Sequence, residues 1–382
     1  MPSAKARRRR PTVGPAELSR IKRRLATALV RLGLEYRHDV FVVEDLLHDS
    51  KRTRKLTARQ AADLWNRSLA AEPARGHGLA LYMHFPYCRS RCLYCINPSE
   101  PVGDARRARR YLEDSRREIE FFAPSFEGRP FDLWGVGGGT PSLLDAEGLR
   151  RWLEPAARSF SFGERAMRTI EFNPISTDRA KLKAARSLGF NRVSFGVQSL
   201  NARVLRSVNR GYQDPAMVDR AIRWARGLGF EPQKAWYFAA PGHEVRLGDD
   251  DGSASTLGLG WHSGSHVFGN AMYVREAEAF DPDQPLYNCS TLSAKEEMGR
   301  YILYQLELRP RLDYARFRRC FGLDPLDAFP VEISALRRAG KIRTDEDGFD
   351  FLPMGSAERV FYVAFFFLDT IAAMPDGRHG AS

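Results

Sequence analysis

Apolar and polar positions along this chain sort into short strand-like runs and longer helical stripes. Leu133-Trp134-Gly135-Val136 is an apolar run that enters the glycine cluster Gly137-Gly138-Gly139, then Thr140-Pro141-Ser142, with a helical pattern from Asp145. Two further strand-like runs cover residues 168–174 and 191–199; each is bounded by Gly, Pro or Asn and followed by a helical stretch, 179–188 and 202–208. Strand and helix alternating at this spacing predict parallel β-α units, whose ligands gather at the strand C-terminal ends. Glu171 and Gln198 stand at such ends. Toward the N-terminus, Ile21, Leu25, Leu29 and Leu32 share one face of a helix over 16–33. From Ser293 the pattern becomes helical, over 294–306, 313–321 and 330–339, followed by a hairpin over 342–351 whose turn is Asp347-Gly348. Phe361, Phe365, Phe366 and Leu368 form the buried face of a terminal helix.

Three cysteines change the picture. Cys88, Cys92 and Cys95 follow an extended segment with C-x3-C-x2-C spacing, which can hold three irons of a [4Fe–4S] cubane and leave the fourth iron open. A structural zinc site is the alternative, with His84 as a fourth ligand. Cys289 and Cys320 lie far off and have no paired spacing. The glycine cluster lacks Cβ atoms, so its backbone can approach a ligand and clamp a zwitterionic amino acid; a plain turn is the bland reading.

With Tyr94 just before its last cysteine, the triad resembles that of the radical SAM enzymes. Further motifs narrow this: Tyr82-x-His84-x-Pro86-x-Cys88, the Gly-Gly-Gly-Thr-Pro-Ser segment, Glu171-x-Asn173-Pro174, Ser194-x-Gly196-Val197-Gln198-Ser199 and Asn209-Arg210. Together they are similar to the oxygen-independent coproporphyrinogen III oxidase family, which includes heme chaperones and radical methyltransferases. The resemblance implies a [4Fe–4S] cluster on Cys88, Cys92 and Cys95, and S-adenosyl-L-methionine as cofactor. It assigns Tyr82 to cofactor contact, Gly138, Gly139 and Thr140 to the methionine moiety, and Glu171, Gln198 and Arg210 to the remaining polar groups. One-electron cleavage of that cofactor would start hydrogen abstraction from, or radical methylation of, a small organic substrate, a tetrapyrrole among the candidates. An electron donor such as flavodoxin or ferredoxin would supply the electron. Porphyrinogen decarboxylation and a non-catalytic heme or cluster carrier are the alternatives.

The chain also departs from that family. Asn97 stands where the oxidases carry a further cysteine, and Ile96-Asn97 replaces the Asp-Phe of the chaperone-like members. Relatives have two more β-α units, with an acidic cofactor ligand, where this chain passes from a helix over 215–228 almost directly to Phe238-Ala239-Ala240-Pro241-Gly242. Either the segment 232–241 substitutes for the fifth strand, or both final strands are gone; in the first case Ala235 takes the acidic position. The chaperone signature His-Asn-x-x-Tyr-Trp is absent after His243-Glu244, where an acidic run, 249–251, follows. His262 and His266 lie beyond it as loop histidines. The expected fold is α/β, a shortened partial (βα) barrel of radical SAM type. An N-terminal helical arm (1–78) precedes the core (79–270), and a C-terminal helical, winged-helix-like lid (271–382) follows.

Composition agrees with a core of this size: 382 residues are 43% hydrophobic. Residues 1–60 hold 16 Lys and Arg against 6 Asp and Glu, most of the whole chain's +12. With no aromatic interleaving, this reads as a solvated arm, and nucleic acid is not expected as a partner. A secretory signal is not expected, since the basic N-terminus lacks the apolar core it needs, nor is a membrane span, since the most apolar run, 360–374, is short of the ~20 residues a span needs and contains Asp369. A reducing, cytoplasmic setting fits the cysteine usage.

Overall fold

The computed structural model describes residues 12–31, 53–71, 78–103, 105–233, 236–244, 252–308 and 310–373. Its strands in chain order are β1 (Thr53–Thr57), β2 (Leu79–Phe85), β3 (Tyr87–Cys88), β4 (Glu100–Pro101), β5 (Phe131–Gly138), β6 (Phe162–Phe172), β7 (Arg192–Phe195), β8 (Glu231–Pro232), β9 (Tyr237–Ala239), β10 (Ser255–Leu259), β11 (Gly264–Val267), β12 (Ala271–Arg275) and β13 (Pro285–Thr291). Among the described residues, all but β3 and β4 join one mixed sheet of eleven strands, in the order β1-β13-β12-β11-β10-β2-β5-β6-β7-β9-β8. The expected divisions at residues 78 and 270 both fall between strands of this sheet.

Four successive strands, β2, β5, β6 and β7, run parallel, and β10 adds itself parallel on the other flank of β2. Leu79–Phe85 is apolar almost throughout and buried on both faces, as a central parallel strand must be. The crossover helices begin where the sequence offers Asp caps. Asp145 Oδ1 accepts from Gly148 N (2.7 Å) at helix Ala146–Ser159, and Asp178 Oδ1 from Lys181 N (2.8 Å) at helix Arg179–Ser187. Trp134, Trp152, Phe131, Phe172 and Phe190 fill the core between sheet and helices.

Both readings of the shortened barrel contain part of the answer. After helix Pro215–Arg226 the chain forms a hairpin instead of a complete β-α unit. Strand β8 runs in the direction a fifth parallel strand would take. Its return strand β9 lies between it and β7, antiparallel to both. Three-residue β9 therefore occupies the fifth place reversed. Ala235 and the acidic run 249–251 lie outside the described residues.

The N-terminal helix spans Pro15–Arg31 and buries Leu25, Ala28 and Leu29; Leu32 lies outside the described residues. It joins a second core built by helices Ala294–Leu308, Tyr314–Phe321 and Pro330–Arg338 and the three-stranded sheet of Arg311–Asp313, Gly348–Phe351 and Ile342–Thr344. The terminal helix is interrupted by a tighter turn at Ala364–Phe367, which buries Phe365, Phe366 and Phe367 and leaves Phe361 and Leu368 half-buried. This unit packs against Phe268, Met272 and Leu292, on the β11–β13 side of the large sheet.

Candidate functional site

The three thiols sit on a loop clipped at its base by the parallel pair β3 and β4, with Glu100 N donating to Pro86 O (2.8 Å) and Val102 N to Cys88 O (2.9 Å). They line a cavity of about 630 Å³ at the C-terminal ends of β5, β6 and β7. Gly138, Gly139, Thr140, Glu171, Gln198 and Arg210 line the same cavity. Tyr82 does not; its hydroxyl lies one row back, 3.3 Å from where a Cβ on Gly137 would stand.

Each lining residue is set by a local feature. Cys88 Sγ lies 3.4 Å from Thr140 Oγ1, and Thr140 N donates to Tyr87 O (2.8 Å), joining the glycine segment to the cysteine loop. Arg210 is buried. Its guanidinium reaches Cys92 Sγ (3.5 Å), Tyr94 Oη (3.4 Å), Gln213 Oε1 (3.1 Å) and Gly196 O. The preceding Asn209 has φ +58° and donates from Nδ2 to Arg91 O (2.8 Å), fastening this turn to the loop. Gln198 also has positive φ (+65°), an uncommon backbone for a residue with a side chain. The Glu171 carboxylate is open to the cavity yet ringed by protein, and this desolvation raises its pKa. Burial likewise raises the Cys95 thiol, against a hydrogen bond to Asn97 O.

His84 does not complete a zinc tetrahedron. It is buried, with Nε2 2.9 Å from Pro98 O and Nδ1 3.3 Å from Tyr82 Oη. Among the described residues, no three His, Cys, Asp or Glu side chains converge as ligands of a single ion. His262 stacks on Trp261 (4.2 Å), and His266 is buried against Glu297 (2.9 Å); neither lines the cavity. Sequence reasoning missed Asn173 and Tyr212 as lining residues, linked through Asn173 Nδ2 and Tyr212 Oη at 3.4 Å. Asn173 was visible inside its motif, and Tyr212 stands two residues after Arg210. Every lining residue described lies between 88 and 237, so the C-terminal unit expected as a lid contributes none of them.

Residues 82–245 match the radical SAM superfamily. The chain carries a radical SAM domain. Similarity to curated relatives covers part of each chain. An oxygen-independent coproporphyrinogen III oxidase of Synechocystis is 35% identical over 159 residues, which is 40% of this chain and 33% of that protein. The heme chaperone HemW of Mycobacterium tuberculosis is 34% identical over 162 residues, 41% of each. The matched stretch thus spans about a third to two fifths of the curated relatives' length. Coproporphyrinogen III oxidase from Escherichia coli shares the fold with TM-score 0.61 and 21% identity, over 79% of this chain and 92% of that one. The described lining of the cavity therefore lies wholly within the matched stretch, and the fold likeness covers more of the chain than that stretch does.

Proposed function

We propose that this chain is a radical SAM enzyme of the coproporphyrinogen III oxidase-like group, acting on an organic substrate by hydrogen abstraction or radical methylation. The observation that carries this reading is the meeting of three thiols, a glycine-Thr segment, Glu171, Gln198 and Arg210 on one cavity at the strand ends. A cubane takes one thiolate at each of three iron corners, so thiols spread over a cavity wall suit it better than they suit one zinc ion. Cys88, Cys92 and Cys95 would hold the cluster, Gly138 to Thr140 the methionine end of S-adenosyl-L-methionine, and Glu171, Gln198 and Arg210 its other polar groups. Together, bound cluster and cofactor supply one-electron cleavage of a sulfur–carbon bond. The residues around them orient the reactants, and Phe172, Phe195 and Val197 present apolar walls that keep water from the reacting centre. The tetrapyrrole substrate class comes from the relatives' names alone.

A second reading, a heme or cluster carrier without turnover, is favoured by the likeness to a heme chaperone. Anaerobic reconstitution separates the two. An enzyme binds close to one [4Fe–4S] cluster per chain and releases 5'-deoxyadenosine when reduced with cofactor present; a carrier binds the cluster and releases none. Replacing Cys88, Cys92 and Cys95 together by Ala abolishes the brown chromophore. Stoichiometric zinc without iron in anaerobically purified protein overturns both readings.

A further inference from the structure

The three thiols differ in what surrounds them. Cys95 Sγ faces an acceptor, Asn97 O, at 3.8 Å, and Cys88 Sγ lies 3.4 Å from the Thr140 hydroxyl. Cys92 Sγ gathers donors: Arg210 Nη1 stands 3.5 Å away and Tyr212 Oη 4.0 Å, a separation that the size of sulfur allows. The direction of the Tyr212 hydroxyl is fixed by its other neighbour. Asn173 Oδ1 accepts from Ile175 N (3.2 Å), which turns Nδ2 toward Tyr212 Oη at 3.4 Å. An amide nitrogen only donates, so Oη accepts there and the phenolic proton is left for Cys92. Tyr94 also reaches this sulfur, but at 42% exposed its hydroxyl is open to water, whereas Tyr212 is half-buried. A neutral thiol has little need of two donors; a thiolate does, because hydrogen bonds to a charged acceptor are the strong ones.

We propose that Tyr212, held in place by Asn173, sets the reduction potential of the cluster by donating a hydrogen bond to the Cys92 thiolate. The proposal rests on the cluster reading above. An added electron makes the ligand sulfurs more negative, so a donor aimed at one of them stabilises the reduced state more than the oxidised one and raises the potential. The surrounding protein strengthens that preference, since the donor is pinned and water does not have to reorient. Tyr212 keeps its proton on Oη throughout and makes or breaks no covalent bond. Arg210 is the poorer probe of this effect, because its guanidinium also holds Gln213 Oε1 (3.1 Å) and the Gly196 carbonyl, so that its removal would disturb the backbone.

Tyr212→Phe removes the hydroxyl and leaves the ring. Full chain, parent and variant, would be reconstituted anaerobically with iron and sulfide and titrated electrochemically with mediators, following the EPR signal of the reduced cluster. The midpoint of the variant is expected to fall by about 59 mV, the one-electron equivalent of a tenfold change in the equilibrium. Iron content stays at the parent value, because the phenol supplies no bond to iron. Should the variant take up less iron, Tyr212→3-fluorotyrosine decides: it keeps the shape and makes the phenol a stronger donor, so the midpoint is expected to rise. Packing alone would not give opposite shifts in the two variants. Midpoints equal to the parent's, or shifted the other way, overturn the assignment while leaving the cluster in place. A parent that takes up no iron defeats the cluster reading itself.

Discussion

The three glycines entering the site do different work. An ideal Cβ on Gly139 would lie 2.5 Å from Tyr87 O and 3.0 Å from Phe85 O, so its missing side chain admits backbone before any ligand. Gly139→Val would therefore damage folding and is a poor probe of cofactor binding. Gly137 leaves room for Glu171, whose Oε2 would be 2.9 Å from a Cβ there, and Gly138, at φ +105°, backs onto the His84 ring. Burial, opposed by the hydrogen bond to Pro98 O, lowers the His84 pKa from 6.5 to about 4. The unfolded imidazole takes a proton near pH 6.5 and the folded one only near pH 4. His84's contribution is thus complete above pH 6.5, declines as the pH falls through that window, and levels off below it. The total is on the order of 3 kcal/mol. Urea unfolding between pH 7.5 and 4.5 should show His84→Asn with a shallower acid loss than the parent; parallel curves would refute the assignment.

At the scale of elements, the helix Ala105–Phe122 shows why its sequence is hard to read. Its composition is dominated by charge, and its buried stripe of Tyr111, Leu112, Ile119 and Phe122 includes Glu118 itself. Glu118 is buried because it is fully partnered. Oε2 takes Arg275 Nη1 (2.6 Å) and Gly260 N (2.7 Å), and Oε1 takes Tyr287 Oη (3.1 Å). One carboxylate thus ties the first crossover helix to β12, β13 and the turn after β10. Removing one member leaves the other charge buried and alone, so Glu118→Ala should cost about 3–5 kcal/mol. The apolar double substitution Glu118→Leu/Arg275→Met should recover most of that in equilibrium urea unfolding. A double variant as unstable as the single one would show that the pair contributes by more than mutual neutralisation.

Over the whole molecule, the parallel part of the sheet ends after β7 in a reversed, three-residue strand, while β1 lies at the opposite end of the strand order. The described part of the N-terminal arm therefore does not border the shortened side. Deleting residues 1–78 would remove Leu56, Trp65 and Leu69 from the main core, and so would test folding and not coupling. With only the short strands β9 and β8 beyond β7 and, among the described residues, no lining residue from the C-terminal unit, the cavity has less protein to exclude water than a completed barrel would supply. On the proposed function, more 5'-deoxyadenosine than product is expected when coproporphyrinogen III is offered as substrate. Mass spectrometry of both species measures the ratio; one product per cleavage would show that the shortened barrel seals the reaction fully.

Local order is what the amino-acid sequence determined by itself. Cysteine spacing, the glycine cluster, the strand-helix alternation and the residues at strand ends are short-range signals, and the structure gathers Cys88, Cys92, Cys95, Gly138, Gly139, Thr140, Glu171 and Gln198 on one cavity, joined by Arg210, which the family resemblance assigned. Only tertiary structure decided what depends on distant partners. Strand β9 is too short for periodicity to show its direction, which is set by pairing with β7. Tyr82 falls one row behind the cavity, and His84 turns to Pro98 O, because neighbouring backbone determines which way each side chain can satisfy its polar atoms. The helical unit beyond residue 293 settles on the β11–β13 side because Phe268, Met272 and Leu292 offer it apolar surface there, a match between segments that neither segment records alone.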